Sequence, residues 1–253
     1  AIGIHDDIID NLKTRNGRPT FYGKFGREVA LILSDILLFK GFTLLQRNLE
    51  SSIPQKTVIE ILSTIDRVWF EQSESEILEV GSRKLLDIPI QRCIVKIKMR
   101  ASEFEAITRI GGLLGSGSQK EVEILGRFGR LIGMASLLRE EIIDMLELDV
   151  LKHRITYESL PLPIIYAAKD PKFKSKIASL ILKKRCNKND LKEIVKISDI
   201  AGGINYVANH IVEMIKDACK CLRFFKTGYE ELNLVALSLI IREKEWKRIL
   251  QFM

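Results

Sequence analysis

The amino-acid sequence predicts an all-α protein, and three observations carry that reading. Apolar residues recur at helical spacing, as in Val29, Leu31, Ile32, Ile36, Leu37, Phe39, Leu44 and Leu45, which give one segment a broad apolar face. The long segments are separated by glycine and proline: Gly17 and Pro19, Pro54, Gly81 and Pro89, and Gly111-Gly112 with Gly115-Ser116-Gly117. Acidic residues also fall one helical turn apart in two places, Asp6 with Asp10 and Glu140 with Asp144, where i and i+4 side chains share a face.

The elements follow in order. Residues 2–14 read as a helix that starts without a capping residue, as if from the middle of a buried helix. Gly17 and Pro19 mark a turn, and a long helix is expected from Phe21 to about Leu49, with Asp35 a packing acceptor. Ser52 and Pro54 open the next, Gln55 to Leu78; Gly81 and Pro89 bound a shorter one, and Gln91 to Leu114 forms another. The helix from Lys120 carries Glu140, Glu141 and Asp144. Asp199 to Phe225, whose small residues Ala201-Gly202-Gly203 allow close packing, and Leu232 to Arg242 complete the set. Lys183, Lys184, Arg185 and Lys188 read as a solvated helix end and turn, and no repeat of 20 to 50 residues is found. The sum is one bundle of about nine or ten antiparallel helices.

Composition narrows the class. At 253 residues and 46% hydrophobic the chain can bury a substantial core, which excludes disorder. The net charge of +7 is spread along the chain instead of gathered in a tract, so it reads as solvated helix faces with a few anion-binding groups and argues against nucleic acid as a partner. Cys93, Cys186, Cys219 and Cys221 form no C-x-x-C pair, so neither zinc nor a disulfide framework is indicated and a reducing, cytoplasmic setting is expected. No stretch reaches the roughly 18 to 20 apolar residues of a membrane span; Val29 to Leu45 is interrupted by Asp35 and Lys40. The first residues lack the basic region of a signal peptide.

The acidic clusters carry the chemistry. Three aspartates within five positions of an apolar helix, Ile4-His5-Asp6-Asp7-Ile8-Ile9-Asp10, repel one another unless a hard divalent cation bridges them. The second cluster, Arg139-Glu140-Glu141-Ile142-Ile143-Asp144, repeats the pattern. Two such helices facing each other would cage Mg²⁺ and a diphosphate, because Mg²⁺ binds through one or two carboxylates plus substrate phosphates. With Arg15 and Gly17-Arg18-Pro19-Thr20 behind the first cluster, the chain resembles the trans-isoprenyl diphosphate synthases (polyprenyl synthetases) over essentially its whole length.

That resemblance implies a single isoprenoid-synthase-type helical bundle over residues 1–253, with a central cavity and without the family's N-terminal helices. It implies an enzyme that condenses an allylic prenyl diphosphate with isopentenyl diphosphate, with Mg²⁺ as cofactor. Asp6, Asp7, Asp10 and Arg15 are then the candidate catalytic residues; Asp6, Asp10, Glu140 and Asp144 the metal ligands; and Arg15, Arg18, Lys98 and Arg100 the diphosphate contacts. In the family, residues just before the first motif set product length. Here Ala1 and Ile2 hold that place, and the small Ala1 points to geranylgeranyl or longer products. A homodimer, or a heteromer with a related subunit, is implied by the same analogy.

The departures are specific. Asn16 replaces a second arginine, Glu140-Glu141 an Asp-Asp pair and Ser136-Leu137 a Phe-Gln. Lys98-Met99 stands for a Lys-Thr pair with its spacing to Gly111 off by one, which leaves Arg100 as the alternate. In Lys152 to Ala167, Ser159 stands for a threonine, Tyr157 for a lysine and Lys152 for an acid, while His153 reads as a surface residue. These changes support an alternative: an impaired homologue acting as a regulatory or partner subunit, or one that binds prenyl diphosphates without turnover.

Overall fold

A computed structural model describes residues 1–15, 17–49, 53–183 and 186–240. Asn16, Ser52, Lys184, Arg185 and Arg242, which figure in the sequence reading, lie outside the described residues. The described chain is helical except for one pair of two-residue strands. Its contacts group it into two compact units, Ala1–Ile59 and Glu60–Met253. The boundary falls inside the helix Gln55–Val80, whose pattern continues across it, so no glycine or proline marks the division.

In the first unit, α1 (Ile2–Ile9) buries Ile4 and Ile8, one turn apart, against Ala30 and Tyr22. It ends well before residue 14 because Asn11 turns into the left-handed region at φ 53°, a conformation asparagine tolerates. Strands β1 (Thr14–Arg15) and β2 (Arg18–Pro19) pair antiparallel, Arg15 opposite Arg18, with Gly17 at φ 73° in the turn. Thr20 caps α2 (Phe21–Phe25), its hydroxyl accepting from Gly23 N at 2.9 Å. The long helix expected from Phe21 is broken at Gly26, whose φ of 83° with ψ 171° belongs to a region only glycine occupies readily. Beyond it runs α3 (Arg27–Leu49), and its expected apolar face is not buried: Ile32 is 60% and Phe39 73% exposed.

In the second unit, α4 (Gln55–Val80) buries Ile61, Thr64, Val68, Gln72, Ser75 and Glu79, a stripe spaced by threes and fours. The stripe begins apolar and ends polar. Residues 81–89, expected to hold a short helix, instead form turns around Lys84 at φ 60°. The helix expected over Gln91–Leu114 is two, α5 (Ile90–Arg100) and α6 (Ser102–Leu114). Side chains from other helices intercept the carbonyls at the joint: Gln72 Nε2 donates to Arg100 O at 2.8 Å and Arg130 Nη1 to Lys98 O at 2.6 Å. A side chain inserted into the backbone ladder is a recognised cause of a helix break.

Ser118 opens α7 (Gln119–Leu146) with a full capping box to Glu121. This helix runs through the main core, packing on α6 and on α12 (Gly203–Leu222). The remainder comprises α8 (Leu148–Tyr157), α9 (Leu162–Ala167), α10 (Pro171–Ile181), α11 (Lys188–Ile200) and α13 (Glu230–Ser238). The helix expected over 199–225 is interrupted at Gly202, φ 79°. Gly203 then allows close packing on α9, since a Cβ there would lie 2.3 Å from Pro163 O.

The α6–α7 contact depends on glycine as well. A Cβ on Gly129 would stand 2.2 Å from Thr108 Oγ1 and 2.4 Å from the Phe104 carbonyl oxygen, so one helix must retreat. Gly129→Ala is expected to cost about 1–3 kcal/mol in urea unfolding, as overpacking does. Gly111→Ala on α6, where a Cβ meets nothing within 4 Å, should stabilise by roughly 0.5–1 kcal/mol.

Candidate active site

The first acidic cluster is held by the turn that follows it. Leu12 N donates to Asp7 O at 2.7 Å and Thr20 N to Lys13 O at 2.9 Å, while the Thr20 hydroxyl donates to Leu12 O at 2.8 Å. Tyr22 Oη donates to Asn11 Oδ1 at 2.6 Å. Gly23 is required here, because any Cβ would overlap Lys13 O at 1.9 Å. These bonds fix the hairpin carrying Arg15 and Arg18 beside the end of α1.

The three aspartates have different surroundings. Asp7 is buried and accepts from Arg15 Nη2 at 2.8 Å. That bond raises the Arg15 pKa further, and the charges of Asp7, Asp6 and Asp10 act in the same direction. Asp7 therefore orients Arg15. Asp6 is half-buried and makes no side-chain hydrogen bond or ion pair among the described residues; Asp10 stands one turn on, at the C-cap. His5, on the same helix, lies 3.4 Å from Asp35 and 3.2 Å from the Ser34 hydroxyl, so Asp35 takes part in packing between α1 and α3. Ala1 is exposed and Ile2 half-buried at the start of α1.

The second cluster is built differently. Glu141, the middle acid, is buried: one oxygen accepts from Arg154 Nη2 at 2.9 Å and the other from Leu162 N at 2.6 Å. Burial favours its neutral form, but the charges of Arg154 and Lys96 and these bonds hold its pKa below the ordinary range. Asp144 is half-buried and accepts from Arg154 Nη1 at 3.1 Å. Glu140 opens to solvent on the same helix. Burial and then the Asp144 charge raise the Glu140 pKa, with Arg100 opposing. Burial raises Asp144, with the Arg154 charge opposing.

Of the expected diphosphate contacts in this unit, the structure places Arg100 near the acids. Its charge acts on both Glu140 and Glu158. Lys98 is exposed and contributes its carbonyl to Arg130. Arg100 and Lys98 both lie on α5, two positions and so about 200° apart around its axis, which sends them to different surroundings. Lys152 is exposed, and Tyr157 packs its ring on His153 with centroids 5.0 Å apart. His153 Nε2 lies 3.7 Å from Glu158, a neighbour that helical spacing does not indicate.

Sequence reasoning missed a buried polar network next to this cluster. Lys96 Nζ donates to Glu79 and, at 2.7 Å, to the Ser159 hydroxyl; Ser159 in turn donates to Glu79 from its backbone N–H and, at 2.9 Å, from its hydroxyl. All three residues are buried. Two signals could have found them: Glu79 continues the buried stripe of α4, and Lys96 sits between the apolar Cys93, Ile94 and Ile97 of α5.

The network makes stability depend on pH. Burial raises the Glu79 pKa, yet the charge and hydrogen bond of Lys96 and the Ser159 N–H outweigh it, bringing the value from 4.5 to about 2. A carboxylate depressed on folding contributes stability that is complete above its unfolded pKa and is lost as pH falls through the folded one. The contribution is about 3 kcal/mol at neutral pH and should disappear between about pH 5 and 2. Acid unfolding of Glu79→Gln is expected to show a shallower dependence on pH over that window than the unsubstituted chain.

The first cluster fits a hard divalent cation. Asp6 makes no side-chain hydrogen bond or ion pair among the described residues, Asp10 stands one helical turn from it, and oxygen donors are what such an ion takes. Among the described residues no three His, Cys, Asp or Glu side chains converge into a cage, so a cation held here completes its shell with water and ligand oxygens. No helix among the described residues is long and apolar enough to cross a membrane.

Solved structures share this fold. The geranylgeranyl pyrophosphate synthetase of Pyrococcus horikoshii Ot3 superposes with a TM-score of 0.84 at 24% identity, over 95% of this chain and 75% of that one. The fold is the all-α isoprenoid synthase fold. The polyprenyl synthetase family profile matches residues 1–198, and the chain belongs to that family. A short chain isoprenyl diphosphate synthase of Methanothermobacter thermautotrophicus is 28% identical over 143 residues, 56% of this chain and 43% of that protein. Heptaprenyl diphosphate synthase component 2 of Geobacillus stearothermophilus is 25% identical over 194 residues, 70% of this chain and 55% of that one. The chain thus matches about half the length of these curated relatives.

Proposed function

We propose that this chain is a Mg²⁺-dependent prenyltransferase that condenses an allylic diphosphate with isopentenyl diphosphate to give a longer trans-prenyl diphosphate, geranylgeranyl or longer. Membership of the polyprenyl synthetase family supports the reaction class. The observation that carries the proposal is the first cluster, where Asp6 makes no side-chain hydrogen bond or ion pair among the described residues while Asp7 holds Arg15 in the field of all three acids.

In this reading Asp6 and Asp10 would be the Mg²⁺ ligands of the first cluster and Glu140 that of the second. The chemistry these residues would gain from a bound Mg²⁺ is neutralisation of charge on a leaving diphosphate. Arg15, oriented by Asp7, supplies charge-assisted hydrogen bonds to diphosphate oxygens. Arg18 lies opposite Arg15 across the hairpin, and cross-strand neighbours of like charge are relieved by an anion between them. Arg100 serves a diphosphate at the second cluster, with Lys98 the weaker candidate. A cytoplasmic setting and a homodimer complete the proposal.

The experiment is a substrate panel: labelled isopentenyl diphosphate with dimethylallyl, geranyl or farnesyl diphosphate, and chromatography of the products. Geranylgeranyl or longer chains are expected, and products that stop at farnesyl would overturn the length assignment. Ala1→Phe should shorten the product by roughly one isoprene unit, because pocket volume sets which chain fits; an unchanged product distribution would remove Ala1 from that role.

A second reading has its own support. One relative is named as component 2 of a heptaprenyl diphosphate synthase, and in this chain two of the three acids of the second cluster are paired to Arg154. A partner subunit with little activity of its own would show isopentenyl incorporation only after a related catalytic subunit is added.

A further inference from the structure

We propose that the solvent faces of α10 and α11 form a lysine-rich surface that docks this chain peripherally on an anionic phospholipid bilayer. The basic residues are spread along the chain, but the positive excess is not. Residues 169–196 hold ten lysines and arginines against three acids, and the rest of the chain holds thirty of each, so this stretch accounts for the whole net charge of +7. Three of the ten cations are engaged: Lys169 Nζ donates to Ile88 O at 2.6 Å, and Lys174 and Lys183 pair with Asp87 and Asp190 at 2.5 Å. Lys184 and Arg185 lie outside the described residues. The other five, Lys172, Lys176, Lys188, Lys192 and Lys196, make no side-chain hydrogen bond or ion pair among the described residues. Lys192 is half-buried and the other four are exposed.

Spacing gathers these charges into rows. Lys172 and Lys176 stand one turn apart on α10, and Lys188, Lys192 and Lys196 fall on successive turns of α11. Like charges at i and i+4 share a face and repel, so each row costs stability unless an anion lies against it. The two helices pack on each other while Ile177, Leu180, Leu191 and Ile194 are buried. The acids of the stretch give little relief: Asp170 caps α10 by accepting from Lys172 N at 2.9 Å, and Asp190 is buried with Lys183 as its partner. The chemistry of the patch selects the occupant. Nine of the ten cations are lysines, point charges on flexible stems that suit a diffuse layer of headgroup phosphates. Nucleic-acid recognition draws on arginine forks and on rings that stack with bases, and Phe173, the one aromatic residue of the stretch, packs against the core. Leu182 instead stands 81% exposed at the end of α10, where an apolar side chain among lysines can enter the boundary between headgroups and acyl chains. No helix among the described residues is long and apolar enough to cross a membrane, so the contact is with the surface.

The test is co-sedimentation of the full chain with vesicles of phosphatidylcholine alone or with about a third phosphatidylserine, at about 0.1 M salt. Binding to the anionic vesicles should be at least about tenfold tighter and should collapse at about 0.5 M salt; equal binding to both vesicles would overturn the proposal. The triple variant Lys188→Gln, Lys192→Gln, Lys196→Gln should lose at least about tenfold, since each lysine near such a surface contributes roughly fivefold. Lys120→Gln, Lys216→Gln, Lys226→Gln has the same net charge and should stay within about twofold of the unsubstituted chain. Equal losses in the two triple variants, each shown to be folded by circular dichroism, would assign the binding to net charge and overturn the patch. Duplex DNA bound more tightly than anionic vesicles at the same salt would overturn the lipid assignment. Binding is read without substrate or metal, so its outcome is separate from that of prenyl transfer.

Discussion

Asp6→Asn is expected to lower kcat for prenyl transfer by at least roughly 10³-fold, the scale of about 4 kcal/mol of transition-state charge stabilisation. The substitution is nearly isosteric and removes one negative charge at a position with no described ion pair, so stability should change little. Asp7→Asn should behave differently. Asp7 is buried and engaged with Arg15, so the loss falls on diphosphate binding and on the fold together. A large rise in KM for the allylic substrate with a lowered melting temperature is the expected signature. Equal effects of the two substitutions would show that the acids are not specialised as their surroundings indicate.

Arg154→Ala is expected to destabilise the chain by roughly 3–5 kcal/mol, because it leaves Glu141 as an uncompensated buried charge. Its pH dependence identifies the cause. With Arg154 present the Glu141 pKa is held below the ordinary range against burial; without it, burial is opposed only by the Lys96 charge and the Leu162 N–H, and the pKa moves upward. A group shifted upward contributes stability below its unfolded pKa and loses it as pH rises through the folded one. The gap in unfolding free energy between the unsubstituted chain and Arg154→Ala should therefore narrow as pH falls below about 5. A gap independent of pH would assign the loss to packing.

Much of this architecture is legible in the residues, and the limits have physical reasons. Both acid pairs follow from i, i+4 spacing, which depends only on local helix geometry. The interruptions at Gly26 and Gly202, where the sequence reading expects continuous helices, have a local cause, since each glycine takes a backbone angle that other residues avoid. The break at Ala101 is not local: Gln72 and Arg130 impose it by taking the carbonyls of Arg100 and Lys98 from other helices. Arg154 reaches Asp144 only because α7 ends at Leu146 and α8 folds back, and Glu79 meets Ser159 across 80 residues. Such pairings need the tertiary fold. Glu141 shows the consequence most plainly, since it stands between the expected ligands Glu140 and Asp144 with nothing local to set it apart, and its surroundings make it a buried partner of Arg154.

The central claim is tested most directly by the purified chain alone, incubated with Mg²⁺, geranyl diphosphate and labelled isopentenyl diphosphate, and assayed for label extracted into butanol. The account predicts product that requires Mg²⁺ and disappears on chelation. Absence of product from a chain shown to be folded, at the concentrations that support relatives of this family, would contradict it.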